Sequence, residues 1–408
     1  MDYNGVLKRL YRLANYERVR GFVKDIGRFR ELLSAMGNPH TSLSNPVLVA
    51  GTKGKGSVVH AVARALTNAG KRTGMNISPH LTSLHERIQV DGEPISEGDL
   101  TEVLDEVFNV VDRGYSTTFF EAITAAAFLH FLRKGTDYEV FEVGLGGRLD
   151  ATNVVNQRVG VITRIDYDHT SILGETLEEI AREKAGIVKG GSVVLTPTSN
   201  APVLPVIEER ARREGAELIV VKHRTLHVGE DGTVFETDGR VVRVPVLGEF
   251  QAENGALAYH VLKVLGLPFD PSGLFVPGRM HVLRREPLLL LDGAHNRVSA
   301  ESLVSSLKRI FPGRRFNFVL AFSRGKDYRS FISTVREVAN WIFITHYPWR
   351  RSLVPEEPYR VCLTLHPKCD TLDTFALHNV LHEDTVITGS LYLLGHFLRG
   401  YLHPPFRV

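Results

Sequence analysis

Cysteine, net charge and long apolar runs are all scarce in this sequence, and each scarcity excludes a class of protein. The 408 residues include two cysteines, Cys362 and Cys369, which lack the CxxC spacing of a zinc site and are too few for a disulfide framework. We therefore predict that both are packing residues in a reducing cytosol. The 49 basic and 46 acidic side chains leave a net charge of only +3, which does not favour a nucleic-acid partner.

Long apolar segments are also missing. The longest run, around Leu290, is far shorter than the roughly 20 residues that a membrane span needs. The first residues, MDYNGVLKRLYRL, lack the apolar segment of a secretory signal. We therefore expect a cytoplasmic, monomeric enzyme that acts on small molecules and has no membrane partner. At roughly 150 residues per domain, the length suits two or three domains, and we expect two.

The first two thirds of the chain alternate between strand and helix patterns. The apolar run PVLVAG (46–51) has the length of a buried strand, and SVVHAVARALTNAG (57–70) has apolar residues at helical spacing. Further strand patterns lie at 139–144 and 158–165, and further helix patterns at 118–135 and 176–190. Such alternation predicts an α/β fold, here a P-loop ATPase-like domain with a central, mostly parallel sheet covered on both faces.

The pattern changes twice after residue 222. Short alternations with EDG and TDG turns predict a small β-hairpin region between about 223 and 246. The Pro-bounded, basic stretch VPGRMHVLRREP (276–287) reads as a connection, after which strand and helix patterns resume. We therefore predict an ATP-binding domain over 1–276, a linker over 277–287 and a smaller, Rossmann-like α/β domain over 288–408.

The loop between the first strand and helix, GTKGKGS (51–57), is typical of phosphate binding. Glycines allow backbone N–H groups to surround phosphate oxygens, and the helix N-terminus adds positive potential. Lys55 can reach the β and γ phosphates, and the Ser57 hydroxyl is placed to bind Mg²⁺. In the usual pattern Ser or Thr directly follows Gly-Lys, whereas here Gly56 intervenes. Glycine and lysine also cluster in exposed turns, which is the alternative.

Nine short motifs in this order resemble a known family. They are AGTKGKGS (50–57), SPHL (78–81), HERI (85–88), FFE (119–121), EVGLGGRLDATN (142–153), DHT (168–170), EKAGIVK (183–189), PGR (277–279) and DGAHN (292–296). The series is similar to that of the folylpolyglutamate synthase and dihydrofolate synthase family, within the Mur ligase superfamily. It extends from residue 46 to TGSLYLLG (388–395), and the extra glycine of the loop is the ordinary form in that family.

The resemblance implies an ATP-dependent carboxylate–amine ligase. A carboxylate of a folate, or of dihydropteroate, would attack the γ-phosphate of ATP to give an acyl phosphate, which the amino group of L-glutamate then captures. The products would be an amide, ADP and phosphate. Such chemistry requires a phosphate cradle, metal ions beside the transferred phosphoryl group, and a site that excludes water. The C-terminal domain would bind glutamate, and closure of the two domains would complete the site.

The resemblance also assigns the nucleotide and metal ligands. The implied ATP contacts are Thr52, Gly54, Lys55, Gly56, Ser57, Val58, Asn254, Arg279 and Asp292. The implied ligands of two Mg²⁺ ions are Ser57, Ser78, Glu142 and His169. Three of these residues have an ordinary alternative: Glu142 as a solvated acid at a strand end, His169 as a packed histidine and Asn254 as a helix cap.

Further positions carry over with the same resemblance. Lys184 of the KAG motif would be carbamylated, which converts an ammonium into an anion that can bind or orient Mg²⁺; otherwise it would be a solvated helical lysine. Lys55, Lys184 and His295 would be the catalytic residues. The implied folate or pterin contacts are Thr118, Phe119, Phe120, Glu121, Leu149, Asp150 and Ala151, although two adjacent phenylalanines are usually core residues. His295 and Ser390 would lie near the incoming glutamate.

Several residues depart from the family pattern. Lys53 replaces the usual Asn, and it would either help to bind nucleotide or point outward. Phe250 replaces a His, Gly255 replaces an Ala, and Met280 and His281 follow the PGR motif where an acid is commoner. Two other functions stay open at this point: a cell-wall amino-acid ligase of the same fold, and a nucleotide-binding regulatory module without catalysis.

Overall fold

The computed structural model describes residues 1–14, 25–373 and 381–402, which form an α/β structure. Its strands are β1 (Pro46–Ala50), β2 (Thr73–Asn76), β3 (Ile88–Val90), β4 (Glu93–Pro94), β5 (Tyr138–Glu142), β6 (Val159–Ile162), β7 (Val193–Pro197), β8 (Glu217–Val221), β9 (Arg224–Gly229), β10 (Gly232–Thr237), β11 (Arg240–Val244), β12 (His281–Arg285), β13 (Leu288–Leu291), β14 (Phe316–Leu320), β15 (Ala339–Ile344), β16 (Cys369–Thr371) and β17 (Thr385–Thr388). Its α-helices are α1 (Tyr3–Arg12), α2 (Ile26–Ala35), α3 (Lys55–Asn68), α4 (Glu97–Val111), α5 (Phe119–Lys134), α6 (Thr170–Leu173), α7 (Leu177–Ala185), α8 (Leu204–Glu214), α9 (Phe250–Val264), α10 (Arg297–Ile310), α11 (Tyr328–Val335), α12 (Glu356–Leu365) and α13 (Leu391–Leu402).

An eight-stranded sheet organises the first compact unit. Its strand order is β4-β3-β2-β5-β1-β6-β7-β8, and only β3 and β4 pair antiparallel with their neighbours. Every residue of β1 is buried, because apolar side chains of the sheet pack against α5 and the sheet is also in contact with α3. The predicted, mostly parallel central sheet is confirmed. Since its central strands are parallel, the loops after β1, β5 and β6 leave the same edge.

The predicted hairpin region is also present. Strands β9, β10 and β11 form a separate three-stranded sheet between residues 224 and 244. The EDG and TDG turns lie at the ends of its strands, and Asp238 and Gly239 both have left-handed backbone conformations, which Asp and Gly tolerate in tight turns. The sheet therefore follows from turn chemistry that can be read locally.

The second compact unit has its own six-stranded sheet, in the order β12-β13-β17-β14-β15-β16. All its pairs are parallel except β12 with β13, and the three central strands β13, β17 and β14 are wholly buried. Residues 281–285 of the predicted linker form β12, and they pair with β13. None of the helices within the described ranges is long and apolar enough to cross a membrane.

The prediction for the two cysteines is wrong. Cys362 and Cys369 are joined by a disulfide, with Cα atoms 6.1 Å apart. Cys362 lies near the end of α12 and Cys369 begins β16, so the short turn between the two elements brings both sulfurs into the core of the second unit. The sequence spacing of seven residues does not reveal this approach, because it depends on how the helix packs on the sheet.

We expect reduction of this disulfide to destabilise the second unit by about 2.5 kcal/mol, the chain-entropy value for so short a loop. Differential scanning calorimetry in the presence and absence of dithiothreitol measures the effect. The variant Cys362→Ser/Cys369→Ser is the control, because its melting temperature should not respond to dithiothreitol. Two free thiols in the purified wild-type protein, together with an unchanged melting temperature, would contradict this prediction.

Candidate active site

The phosphate loop joins β1 to α3 at the carboxyl edge of the large sheet. Gly54 has a left-handed backbone (φ 94°), and a Cβ atom there would lie 2.2 Å from Oδ1 of Asn254, so only glycine fits. Asn254 is buried and lies in the second turn of α9, too far along the helix to be its cap. The loop and the asparagine implied to contact adenine are therefore neighbours. Val58 donates its N–H to Gly54 within the helix, whereas the N–H groups at 55–57 belong to its first turn.

Two lysine side chains meet beneath this loop. Nζ of Lys184 lies 2.8 Å from the carbonyl oxygen of Gly51, and Nζ of Lys55 lies 3.3 Å from the same oxygen. Lys184 is only 4% exposed, so it is not the solvated surface lysine of the alternative. The two ammonium groups therefore share one backbone acceptor, which places the lysine implied to be carbamylated directly beside Lys55.

Glu142 ends β5, directly beside β1, and its carboxylate lies next to the loop. Its Oε2 accepts a hydrogen bond from the N–H of Ser78 (3.2 Å), and a Cβ atom at Gly56 would lie 3.7 Å from the same oxygen. Ser57 is buried in the first turn of α3, one residue further along. Carboxylate and hydroxyl oxygens are the ligands that Mg²⁺ prefers, so these residues fit the implied ion.

His169 lies on the loop that follows β6 from the same sheet edge. Its backbone is left-handed (φ 50°), its side chain is 55% exposed, and Nε2 lies 3.8 Å from Asp168 Oδ1. Within residues 1–14, 25–373 and 381–402, no three His, Cys, Asp or Glu side chains converge on one point. The implied ion sites therefore depend on serine and substrate oxygens besides Glu142 and His169.

The implied folate contacts are held in place by their own local structure. Thr118 and Glu121 form a capping box at the start of α5, with each side chain bonded to the backbone N–H of the other. Phe119 and Phe120 are both 2% exposed, and the Phe119 ring stacks on Tyr11 at a centroid distance of 5.8 Å. The structure thus shows both rings in the core, and their contact with a pterin stays a prediction.

The GRLDAT segment is fixed in the same way. Asp150 is fully buried and accepts hydrogen bonds from the N–H groups of Leu145 (3.0 Å) and Thr152 (3.1 Å). Ala151 is buried, and Leu149 is half-buried. The carboxylate of Asp150 therefore shapes the turn, which leaves Leu149 as the more accessible of these three residues.

In the second unit, Asp292 follows β13 and is buried. Its Oδ2 accepts from the N–H of Met280 (2.8 Å) and its Oδ1 from the N–H of Ala294 (2.9 Å). Burial raises the pKa of Asp292, although the charge of Arg279 and the two N–H groups act in the opposite direction. Asp292 therefore tethers the PGRM turn, where Met280 has a left-handed backbone (φ 43°).

His295 and Ser390 lie on two loops that the structure connects. The N–H of Gly389 and the hydroxyl of Thr388 both donate to the carbonyl oxygen of Ala294, at 2.9 and 3.3 Å. Nδ1 of His295 lies 2.9 Å from the carbonyl oxygen of Gly293, and because a carbonyl only accepts, Nδ1 carries the proton. In the neutral ring, Nε2 is then unprotonated.

The sequence analysis did not identify the ion-pair partner of Lys53, which is Asp166. The side chain of Lys53 is paired with Asp166, at an Nζ–Oδ2 distance of 2.7 Å. Burial is the largest single influence on the pKa of Asp166 and raises it, but the hydrogen bond and charge of Lys53, with smaller contributions, leave that pKa below its usual value. The hydroxyl of Thr52 donates to the carbonyl oxygen of Asp166 (3.0 Å), so both residues of the loop face that segment. The unusual charge of Lys53 indicated that it needs a partner, but the sequence could not identify Asp166 because it lies 113 residues away.

Comparisons with known proteins agree with this architecture. Residues 49–262 match the Mur ligase middle domain, and residues 281–400 match the dihydrofolate synthetase C-terminal domain. The chain is 31% identical to the dihydrofolate synthase/folylpolyglutamate synthase of Bacillus subtilis, over 92% of this chain and 94% of that protein. Among solved structures, the folylpolyglutamate synthase of Thermotoga maritima superposes with a TM-score of 0.88 at 30% identity, covering 98% of this chain and 97% of that one. The Mycobacterium tuberculosis folylpolyglutamate synthase complexed with ADP and AMPPCP superposes with a TM-score of 0.86 at 28% identity, and 99% of each chain is covered.

Proposed function

The chain belongs to the dihydrofolate synthase/folylpolyglutamate synthase family of the Mur ligase superfamily, and from this premise we propose that it is an ATP-dependent ligase that adds L-glutamate to a folate, to dihydropteroate, or to both. One observation carries the proposal beyond the fold. The phosphate loop, Lys55, Lys184 and Glu142 converge at the carboxyl edge of β1 and β5, as transfer of a phosphoryl group requires.

The phosphate loop is the proposed cradle for the triphosphate of ATP. The N–H groups in the first turn of α3 have no acceptor within the helix and would donate to phosphate oxygens, with Lys55 released from Gly51 toward the γ-phosphate. Asn254, packed against Gly54, would contact the base. Arg279 and Asp292 stay proposed nucleotide contacts, since the guanidinium of an arginine matches phosphate oxygens.

Magnesium would be held by Ser57, Ser78 and Glu142, with His169 at a second site. Bound there, Mg²⁺ would neutralise charge on the phosphates during transfer. Glu142 provides the buried anion for this purpose, and the N–H of Ser78 holds that carboxylate in its orientation. Carbamylated Lys184 would add a second anion beside Lys55.

His295 would act on the incoming glutamate. An ammonium group must lose a proton before its nitrogen can attack an acyl phosphate, and Nε2 of His295 can accept that proton when Nδ1 donates to the carbonyl oxygen of Gly293. Ser390, on the neighbouring loop, would bind a carboxylate of glutamate through its hydroxyl. We further propose that the enzyme acts as a cytoplasmic monomer on small-molecule substrates, with neither nucleic acid nor membrane as a partner.

The test combines the purified protein with Mg-ATP, tetrahydrofolate and L-glutamate. We expect ADP, phosphate and a folate heavier by one glutamyl residue, detected by mass spectrometry, and a parallel reaction with dihydropteroate tests the second activity. Phosphate release with muramyl substrates alone would favour a cell-wall ligase. Nucleotide binding without turnover of any acceptor would favour a regulatory module.

A further inference from the structure

The charged residue in the phosphate loop, Lys53, is paired with Asp166. The two side chains are 29% and 21% exposed, so their 2.7 Å ion pair is partly shielded from water. Such a pair is stronger than one that is fully solvated. Lys53 is therefore engaged by a protein carboxylate in this structure.

The backbone reinforces this pairing. The N–H groups of Thr52 and Lys53 both donate to the carbonyl oxygen of Arg164, at 2.9 and 3.1 Å. The hydroxyl of Thr52 donates to the carbonyl of Asp166 and accepts from its N–H, at 3.0 and 3.1 Å. The first half of the phosphate loop is thus bound to residues 164–166 along its length.

The same segment is anchored on its other side. Asn200 accepts a hydrogen bond from the N–H of Ile165 (2.8 Å) and donates to the carbonyl of Thr163 (3.0 Å), and its side chain is buried. Asp166 therefore lies at the end of a stretch that is hydrogen-bonded on both sides. His169 follows three residues later, within about 10 Å of chain, so the position of Asp166 limits where His169 can lie.

We propose that Lys53 and Asp166 form a positioning pair that holds the segment carrying His169 against the phosphate loop. In this role Lys53 acts through Asp166 and not through contact with ATP. The inference rests on the proposed function, because it concerns how that site recruits Mg²⁺ with nucleotide. It also accounts for a lysine at a position where an uncharged Asn would leave Asp166 without its cation.

A double-mutant cycle tests the pair. Lys53→Asn and Asp166→Asn should each raise the Mg²⁺ concentration for half-maximal binding of a fluorescent ATP analogue by about three- to tenfold, the range of coupling for a partly buried pair. The double variant should be no worse than either single one, and Lys53→Arg should retain wild-type behaviour. Lys134→Asn is the matched control, since the Lys134–Asp99 pair has a similar distance (3.0 Å) and exposure (36% and 33%) but lies on α4 and α5.

Direct binding of Lys53 to phosphate would give a different pattern. In that case Lys53→Asn would weaken nucleotide binding equally in the Asp166→Asn background, and Asp166→Asn alone would strengthen it by freeing the lysine. Either result overturns the proposal. Because the readout is nucleotide binding, it stays informative if the folate assay shows no ligase activity, and the two failures can be told apart.

Discussion

Glu142→Gln should reduce kcat by on the order of 10³-fold, because it removes the buried negative charge beside the phosphate loop while keeping the shape of the side chain. The amide still accepts a hydrogen bond from Ser78 through its carbonyl oxygen, so the fold around β5 should persist. The loss should come from weaker binding of Mg²⁺ with nucleotide. We therefore expect the Mg²⁺ dependence of binding of the fluorescent ATP analogue to shift to higher concentration.

A second glutamate on the same strand is the matched control. Glu139 is also buried in β5, where it accepts hydrogen bonds from the N–H of Asn45 (3.2 Å) and the hydroxyl of Thr136 (2.6 Å). It lies toward the opposite end of the strand, so Glu139→Gln should alter stability without changing the Mg²⁺ dependence. Near-normal turnover by Glu142→Gln, or an equal loss of kcat in Glu139→Gln, would contradict the assignment of Glu142 to the Mg²⁺ site.

Lys184→Met should lower kcat by roughly 10²- to 10³-fold, on the scale expected for loss of one charged group that stabilises a transition state. If the lysine is carbamylated, a small carboxylate such as acetate should restore part of the activity, since it supplies the missing anion beside Lys55. In ¹³C-labelled bicarbonate, the wild-type protein should show a carbamate carbon resonance by NMR. The variant should lack that resonance.

Lys189 is the control for the assignment of that signal. It lies five residues further along, its Nζ donates to the carbonyl oxygens of Asn153 (2.8 Å) and Val155, and burial lowers its pKa to about 8. This lowered pKa leaves Lys189 neutral part of the time, but its Nζ donates to the carbonyl oxygens of Asn153 and Val155, whereas that of Lys184 donates to Gly51. Lys189→Met should keep the resonance and the acetate-independent activity. Full activity of the wild-type enzyme in CO₂-free buffer, without a resonance, would exclude carbamylation.

Local patterns were sufficient for most of the fold. Apolar runs of strand length alternate with helical periodicity around the phosphate loop, and this alone requires a parallel sheet with helices on both faces. The EDG and TDG turns identified the three-stranded sheet, because turn residues can be recognised within a few positions of sequence. The order of strands in each sheet was beyond reach, because strands distant in sequence pair as neighbours, as β1 does with β5 and β6.

In the candidate site, too, local motifs identified the residues but not the contacts between them. Motifs named Glu142, Lys184 and the phosphate loop, since each lies within a short and characteristic stretch of sequence. They did not reveal that Lys184 and Lys55 approach one carbonyl oxygen, or that Lys53 faces Asp166. They also gave no indication that Cys362 and Cys369 would pair.

By itself, the sequence determined the classes of element, the phosphate loop and the chemical types of the site residues, because these depend on contacts among residues close in the chain. Only the tertiary structure decided which of those residues meet, which carboxylate Lys53 pairs with and where both phenylalanines of FFE are buried. The physical reason is that burial and ion pairing depend on distances in space, which the packing of whole helices and strands sets and no short stretch of sequence contains.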